Sequence, residues 1–381
     1  MEPLRSRPCL AALSSSYAGG MPVVVIAPDS FKGSLSAREV AEAIAEGWRS
    51  VHPDDELVLV PQADGGEGTL DAIEASVPGS VRRSAGQVTG PDGRPTPGEW
   101  LELPGGAAVV ELAQSSGLPL LPELDPLGAT TRGLGEVIRA ALEAGATSLV
   151  IGLGGSASTD GAAGALSALG LVLLDEQGEL VSDGGRGLAD IVDVRSDGLL
   201  PPPAGGVVLL TDVTAPLLGP TGAAAVFGPQ KGATPEQVEG LDAGLAHFAE
   251  LLGSDPALPG TGAAGGAGYG FSAAWGATIV PGADRLAELS GLREAIARAD
   301  VVLSGEGRFD EQSLTGKVVG RVLALAGGAV TGVIAGQVTA PTGGWSASLT
   351  ELAGSVEAAM GDTAAWLRAA GAKAAEELSP R

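Results

Sequence analysis

The sequence predicts an α/β protein in which a parallel, doubly wound sheet, built from both ends of the chain, is interrupted by a second, mixed α/β unit. Two observations carry that expectation. Short β-branched runs that open into glycines occur near both ends, and the material between them has a different texture. A length of 381 residues fits two or three domains, and 44% hydrophobic content supplies their cores.

Residues 1–21 are expected to be a disordered leader, because they hold charged residues without a sustained apolar run. The run 23–27 has the length and β-branching of a strand buried on both faces. Ser36 and Glu39 have capping-box spacing, and Val40, Ile44 and Trp48 form one apolar stripe, so a helix follows. A strand over 57–60 then runs into ADGGEGTLDAI. Residues 81–112 read as antiparallel strands, with turn signals at 90–93 and 104–106. Next come a helix over 131–144, a strand over 149–152, the loop GLGGSASTD, an Ala-rich stretch over 161–170 and a strand over 207–212. Thr234, Pro235 and Gln237 start a helix whose apolar positions are Val238, Leu241, Leu245 and Phe248. Near the C-terminus a strand over 301–303 precedes GEGRFDEQSLTGK, and one over 330–335 precedes another glycine. The first unit is therefore expected to comprise 22–81 and 284–381, the inserted unit 82–283, with a cleft between them.

Composition removes several functions. With 46 acidic against 22 basic side chains the net charge is −24, which disfavours nucleic acid and anionic membranes as partners. Cys9 is the single cysteine, so no intrachain disulfide or thiolate metal site is available, and a reducing cytoplasm is the expected setting. His52 and His247 stand beside no nucleophile, which excludes a Ser-His-Asp apparatus, and His247 reads as an ordinary helix residue. No apolar run reaches the roughly 18 residues of a membrane span.

The chemistry is expected at four strand ends rich in glycine, hydroxyls and charge: PDSFKGS, ADGGEG, GLGGSASTD and SGEGRFD. Ligands of open α/β sheets bind outside the carboxyl ends of strands, where loop amides form anion sites. The chain has four lysines against 18 arginines, and three of the four, Lys32, Lys231 and Lys317, sit in glycine-rich motifs. Lysine supplies a compact point charge of the kind a transferring phosphate takes. Asp64, Glu67, Asp212, Glu306 and Asp310 add strand-end oxygens of the kind Mg²⁺ prefers. No P-loop motif G-x-x-x-x-G-K-[ST] is present, and GTGAAG at 260–265 follows no strand, so dinucleotide binding there is not expected.

The expected catalytic residues are Lys32, Asp64, Arg308 and Asp310. Substrate and phosphate binding falls to Asp29, Ser30, Gly65, Gly66, Gly154, Gly155, Ser156, Lys231 and Lys317, and metal binding to Glu67, Asp212 and Glu306.

In order, APDSFKGSLSA, ADGGEGT, DPLGATTRGLGE, IGLGGSASTDGAAG, DVTAPLLGPTGAAAVFGPQKGA, PGTGAAGGAGYG and SGEGRFDEQSLTGK resemble the motifs of the type 1 glycerate kinases. The resemblance runs from about Met21 to the C-terminal helix and leaves the leader outside it. It implies a Rossmann-like domain in a two-domain α/β fold. It also implies ATP-dependent, Mg²⁺-assisted phosphorylation of D-glycerate in the cytoplasm, with 2-phospho-D-glycerate favoured over the 3-phospho product; whether as a monomer or a dimer stays open. The alternative from another class is a non-catalytic sensor that binds an acidic metabolite in the same cleft.

Overall fold

The computed structural model describes residues 21–314 and 317–380, so the expected leader, apart from Met21, lies outside the described residues. In chain order the strands are β1 (Val23–Ile26), β2 (Glu56–Leu59), β3 (Val81–Thr89), β4 (Pro95–Glu102), β5 (Ala107–Glu111), β6 (Ser148–Gly152) and β7 (Val172–Leu174). They continue as β8 (Asp193–Arg195), β9 (Val207–Leu210), β10 (Thr278–Val280), β11 (Val301–Phe309), β12 (Val330–Val338) and β13 (Trp345–Ser348).

β1 shows why its sequence is continuously apolar. Val24 and Ile26 enter a cluster with Val40, Ile44 and Trp48 of the helix Ala37–Val51 and Leu367 of the helix Thr363–Leu378. Val25 and Ala27 point to the other face, against Leu292, Ile296, Val318 and Val322. Helices thus cover both faces, and each fully buried Val or Ile contributes roughly 1.5–3 kcal/mol relative to exposure. The five strands of this first sheet run in the order β13, β12, β11, β1, β2, all parallel. From β1 the chain builds outward to β2, and from β11 it builds the opposite way to β13. The junction of β1 with β11 is therefore a topological switch point, where a crevice opens beyond the strand ends.

The second sheet has the order β10, β9, β6, β5, β4, β3. Pairing is parallel from β10 to β5 and antiparallel from β5 to β3, so the antiparallel reading of 81–112 describes one edge of a mixed sheet. One face packs Val110, Leu149 and Ile151 against Leu134 and Ile138 of the helix Arg132–Glu143 and against Leu241, Leu245 and Phe248 of the helix Pro235–Leu252. The other face meets Leu70 and Ile73, so the helix Thr69–Ser76, on the N-terminal side of the expected boundary at 81/82, lies on the second sheet. Both capping boxes form, Ser36 with Glu39 and Thr234 with Gln237. β7 and β8 make a separate antiparallel pair.

Two features position the cleft. The helix Gly282–Leu289 lies between the sheets, with Leu286 in the cluster of the second and Ala287 in that of the first. β11 is longer than its sequence implies. SGEGRFD reads as a loop after residue 303, yet the parallel ladder with β12 continues to the pair Phe309 and Val338. The glycines permit it, because a Cβ on Gly336 would collide with the Gly307 carbonyl of the neighbouring strand.

Candidate active site

The switch point brings the first and the last of the four charged segments together. The Asp29 amide donates to the Gly305 carbonyl at 2.8 Å, tying the loop after β1 to β11. A cavity of about 460 Å³ opens there, lined by Asp29, Ser30, Lys32, Asp64, Glu306, Arg308 and Lys317 on its polar side. Leu349, Val356, Ala359 and Met360 form an apolar wall.

The carboxylates in this region repel one another. Burial first and the Asp64 charge second push the Asp29 carboxyl up to about 7, against the opposing pull of the Ser30 amide and Lys32. Asp212 is pushed up to about 6 by burial and by the same Asp64, against the pull of the Gly282 and Ala283 amides. Burial also raises Glu306, opposed by the Ser313 hydroxyl and Lys317, and its Oε1 is buried without a hydrogen-bond partner. Asp64 thus links Asp29 to Asp212.

Glu67, Asp212 and Glu306 do not converge. Among the described residues no group of three or more acid, histidine or cysteine side chains is close enough to cage a metal. Glu67 is exposed, Asp212 accepts the Gly282 amide at 2.9 Å, and Glu306 stays on β11. The oxygen donors, their mutual repulsion and the orphaned Glu306 oxygen fit Mg²⁺, which is held by one or two carboxylates together with phosphate oxygens and water.

The second sheet completes the cleft. The Gly154 amide donates to the Gly65 carbonyl at 3.0 Å, and the Gly66 amide donates to Asp64 Oδ1 at 3.0 Å. The loops after β2 and β6 are thereby joined, and a Cβ on Gly154 would collide with the Gly66 backbone. Beyond them lies a cavity of about 370 Å³, lined by Glu67, Gly154, Gly155, Ser156, Thr211 and Lys231. Lys231 is buried, and its Nζ donates to the Ser158 carbonyl and lies 3.4 Å from Ser156 Oγ. Burial lowers its pKa to about 8 against the opposing charge of Asp160. A third cavity, of about 1000 Å³, shares Asp64 and Lys317 with the first and Thr211, Val213 and Phe227 with the second. The third cavity therefore has a wall in common with each of the other two.

Asp310 lies at the edge of the site, with Oδ2 4.0 Å from Arg308 Nε and its charge among those that raise Glu306. Its carboxylate accepts the Gln312 amide at 2.9 Å, its own amide donates to Ser313 Oγ at 3.0 Å, and the residue caps the turn Glu311–Leu314. It lines none of these three cavities. Sequence reasoning passes over Glu111, although it ends β5 as the other acids end theirs. Burial pushes it up to about 7 while it accepts the Gly68 amide at 3.1 Å and the Leu70 amide at 3.0 Å, fixing ADGGEG from the second sheet. His247 hydrogen-bonds the Ile191 carbonyl at 2.6 Å, a structural contact, as its helical setting implies.

Comparison with known proteins converges on one family. A family model described as the glycerate kinase family matches residues 24–379. The chain is 44% identical over 304 residues to the glycerate 2-kinase of Escherichia coli K12, covering 77% of this chain and 79% of that one. It is 43% identical over 303 residues to the glycerate kinase of Bacillus subtilis 168, with the same coverage of each. A crystal structure from Salmonella typhimurium LT2, provisionally assigned as glycerate kinase 2, superimposes with a TM-score of 0.79 at 37% identity, covering 94% of this chain and 98% of that one.

Proposed function

Because the chain belongs to the glycerate kinase family, we propose that it transfers the terminal phosphate of ATP to a hydroxyl of D-glycerate, assisted by Mg²⁺, to give 2-phospho-D-glycerate in the cytoplasm. The observation that carries this reading is the switch-point cavity, where Lys32, Arg308 and Lys317 face Asp29, Asp64 and Glu306. The 2-position rests on the name of the E. coli relative. No helix among the described residues is long and apolar enough to cross a membrane, which accords with a cytoplasmic setting.

In this reading the nucleotide occupies the switch-point crevice, with its base against Leu349, Val356, Ala359 and Met360 and its phosphates toward the cations. Ser30, Lys32, Arg308 and Lys317 hold phosphate oxygens, aided by the loop amide of Gly65, while the Gly66 amide keeps Asp64 in place. Asp64 and Glu306 would hold Mg²⁺, which when bound would supply positive charge against the phosphates. Asp29, with a pKa of about 7, suits the proton acceptor for the attacking hydroxyl at neutral pH. Asp212 and Asp310 act as caps that shape the two loops, and Glu67 faces the acceptor side. The division into units 22–81 with 284–381 and 82–283, with the helix Thr69–Ser76 of the first docked on the sheet of the second, belongs to the same reading, as does closure of the cleft to exclude water.

The test is a coupled assay for ADP release with D-glycerate, Mg²⁺ and ATP, with the product identified by phosphorus NMR. Release of ADP with phosphate on the 2-hydroxyl is expected. Glycerate binding by calorimetry with no ADP release would overturn the kinase reading in favour of the sensor.

A further inference from the structure

Lys231 is an ammonium carried into the protein interior without an ion-pair partner among the described carboxylates. It is 2% exposed, and its two contacts, the Ser158 carbonyl and Ser156 Oγ, are neutral. Asp160, the acid that acts on it across the loop, is already occupied. One of its oxygens accepts the Thr131 amide, the Thr131 hydroxyl and the Gly164 amide, and the other accepts the Ala162 amide. An ammonium has three donors, so one remains for a ligand. Burying a charge is costly unless it is paired, and a buried lysine that lines a cavity is poised for an anion.

The cavity is built rather than incidental. Ala264 on its wall holds a left-handed backbone at φ 53°, a strained conformation for a residue with a Cβ. A Cβ on the adjoining Gly265 would collide with the Ser158 carbonyl, so the glycine packs directly against the oxygen that Lys231 grips. Gly154, on the same wall, touches Gly66, whose amide holds Asp64. One end of a three-carbon acid at Lys231 would thus leave its hydroxyls toward the acidic centre.

Resting on the kinase reading, we infer that the cavity formed by Lys231, Ser156, Thr211 and the Gly154–Gly155 backbone is the acceptor subsite, and that Lys231 binds the carboxylate of the hydroxy acid and selects acids over neutral polyols. The rival occupant of the same chemistry is a phosphate of the nucleotide. The carboxylate is favoured because three other cations, Lys32, Arg308 and Lys317, already line the switch-point cavity, whereas Lys231 lines the smaller one, which has no lining residue in common with it.

The experiment compares wild type with Lys231→Met and Ser156→Ala, using D-glycerate and its uncharged amide as acceptors. For Lys231→Met the KM for glycerate should rise roughly thirtyfold or more while the KM for ATP stays unchanged. The preference for the acid over the amide should collapse. Ser156→Ala, which keeps the charge and loses one orienting contact, should move the same ratio in the same direction by a smaller factor, and it serves if Lys231→Met does not fold. A rise in the KM for ATP with glycerate unaffected would assign the lysine to the nucleotide and overturn the inference. An unchanged acid-to-amide ratio in folded variants would make Lys231 purely structural and overturn it as well. Calorimetry of glycerate binding with Mg²⁺ and a non-hydrolysable ATP analogue separates this from the kinase reading. Wild-type binding that Lys231→Met abolishes supports the subsite even if wild type releases no ADP.

Discussion

The Gly154 amide donates to the Gly65 carbonyl at 3.0 Å, so the loop after β2 of the first sheet is joined to the glycine loop of the second through backbone alone. No side chain can occupy that seam. Gly154→Ala should therefore push Gly66 away and carry Asp64 with it, lowering turnover by about a hundredfold for a displacement near 1 Å. Melting temperature should fall as well. Gly240→Ala is the control, because this exposed glycine in the helix Pro235–Leu252 has open space around its Cα, and the change should stabilise by roughly 0.5–1 kcal/mol. Turnover and melting curves of the two variants check the contrast, and equal behaviour would remove the seam from the mechanism.

Stability should fall as pH rises from about 5 to 7, the reverse of ordinary acid denaturation. Asp29 and Glu111 titrate near 7 and Asp212 near 6 in the fold, all above their unfolded values. Each acid then binds its proton more tightly folded than unfolded. Its stabilising effect is complete below the unfolded pKa and is lost as pH climbs through the folded one. Glu111→Gln should flatten the slope, since it removes one of the three groups. Melting temperature between pH 5 and 8 is the measurement, and a rising curve would show that these carboxylates are better compensated than their surroundings imply.

What was legible in the sequence was whatever a single local period can carry. The run at 23–27 announced a strand covered on both sides because every position is apolar, and Ser36 with Glu39 marked a helix start through adjacent backbone chemistry. β11 was illegible past residue 303 because Gly305 and Gly307 look like a turn until Gly336 on the neighbouring strand is known to lie against them. The candidate residues on the first sheet were legible as a group, and Ser30, Lys32, Asp64, Glu306, Arg308 and Lys317 do share one cavity. The motif GPQKGA showed a lysine without showing that it is buried, because its partners Ser156 and Ser158 lie more than seventy residues away. Glu111 escaped notice for a related reason, since the amides it holds belong to another loop.

Replacing Lys32 or Lys317 by arginine should damage catalysis although the charge is kept. Both line the switch-point cavity, where a compact ammonium meets phosphate oxygens and a longer, planar guanidinium would shift them out of line. A loss of about a hundredfold in turnover is expected, with little change in melting temperature. Lys373→Arg, on the exposed side of the helix Thr363–Leu378, should behave as wild type. Equal activity in all three variants would make the glycine-loop lysines ordinary surface residues.

Glu306 and Asp310 belong to one sequence motif, and the structure sets them in different surroundings. Glu306 presents a buried oxygen without a partner, in a cavity with Lys32 and Lys317, while Asp310 spends its carboxylate on the turn Glu311–Leu314. Glu306→Gln should therefore lower kcat and kcat/KM together, by about a hundredfold, as loss of a group used in the transition state does. It should also leave the apo protein as stable or more stable at pH 8, because burial already disfavours the charged Glu306 and the amide carries none. Asp310→Asn should keep most of its activity, since the amide oxygen can still accept the Gln312 amide. The third readout is ligand-induced stabilisation. Mg²⁺ with ADP should raise the melting temperature of wild type and of Asp310→Asn by similar amounts and raise that of Glu306→Gln by much less, because the oxygen proposed to meet the metal has lost its charge. If Asp310→Asn instead loses both turnover and stabilisation while Glu306→Gln keeps them, the metal-facing carboxylate is the one on the turn, and the orphaned oxygen on β11 has another purpose.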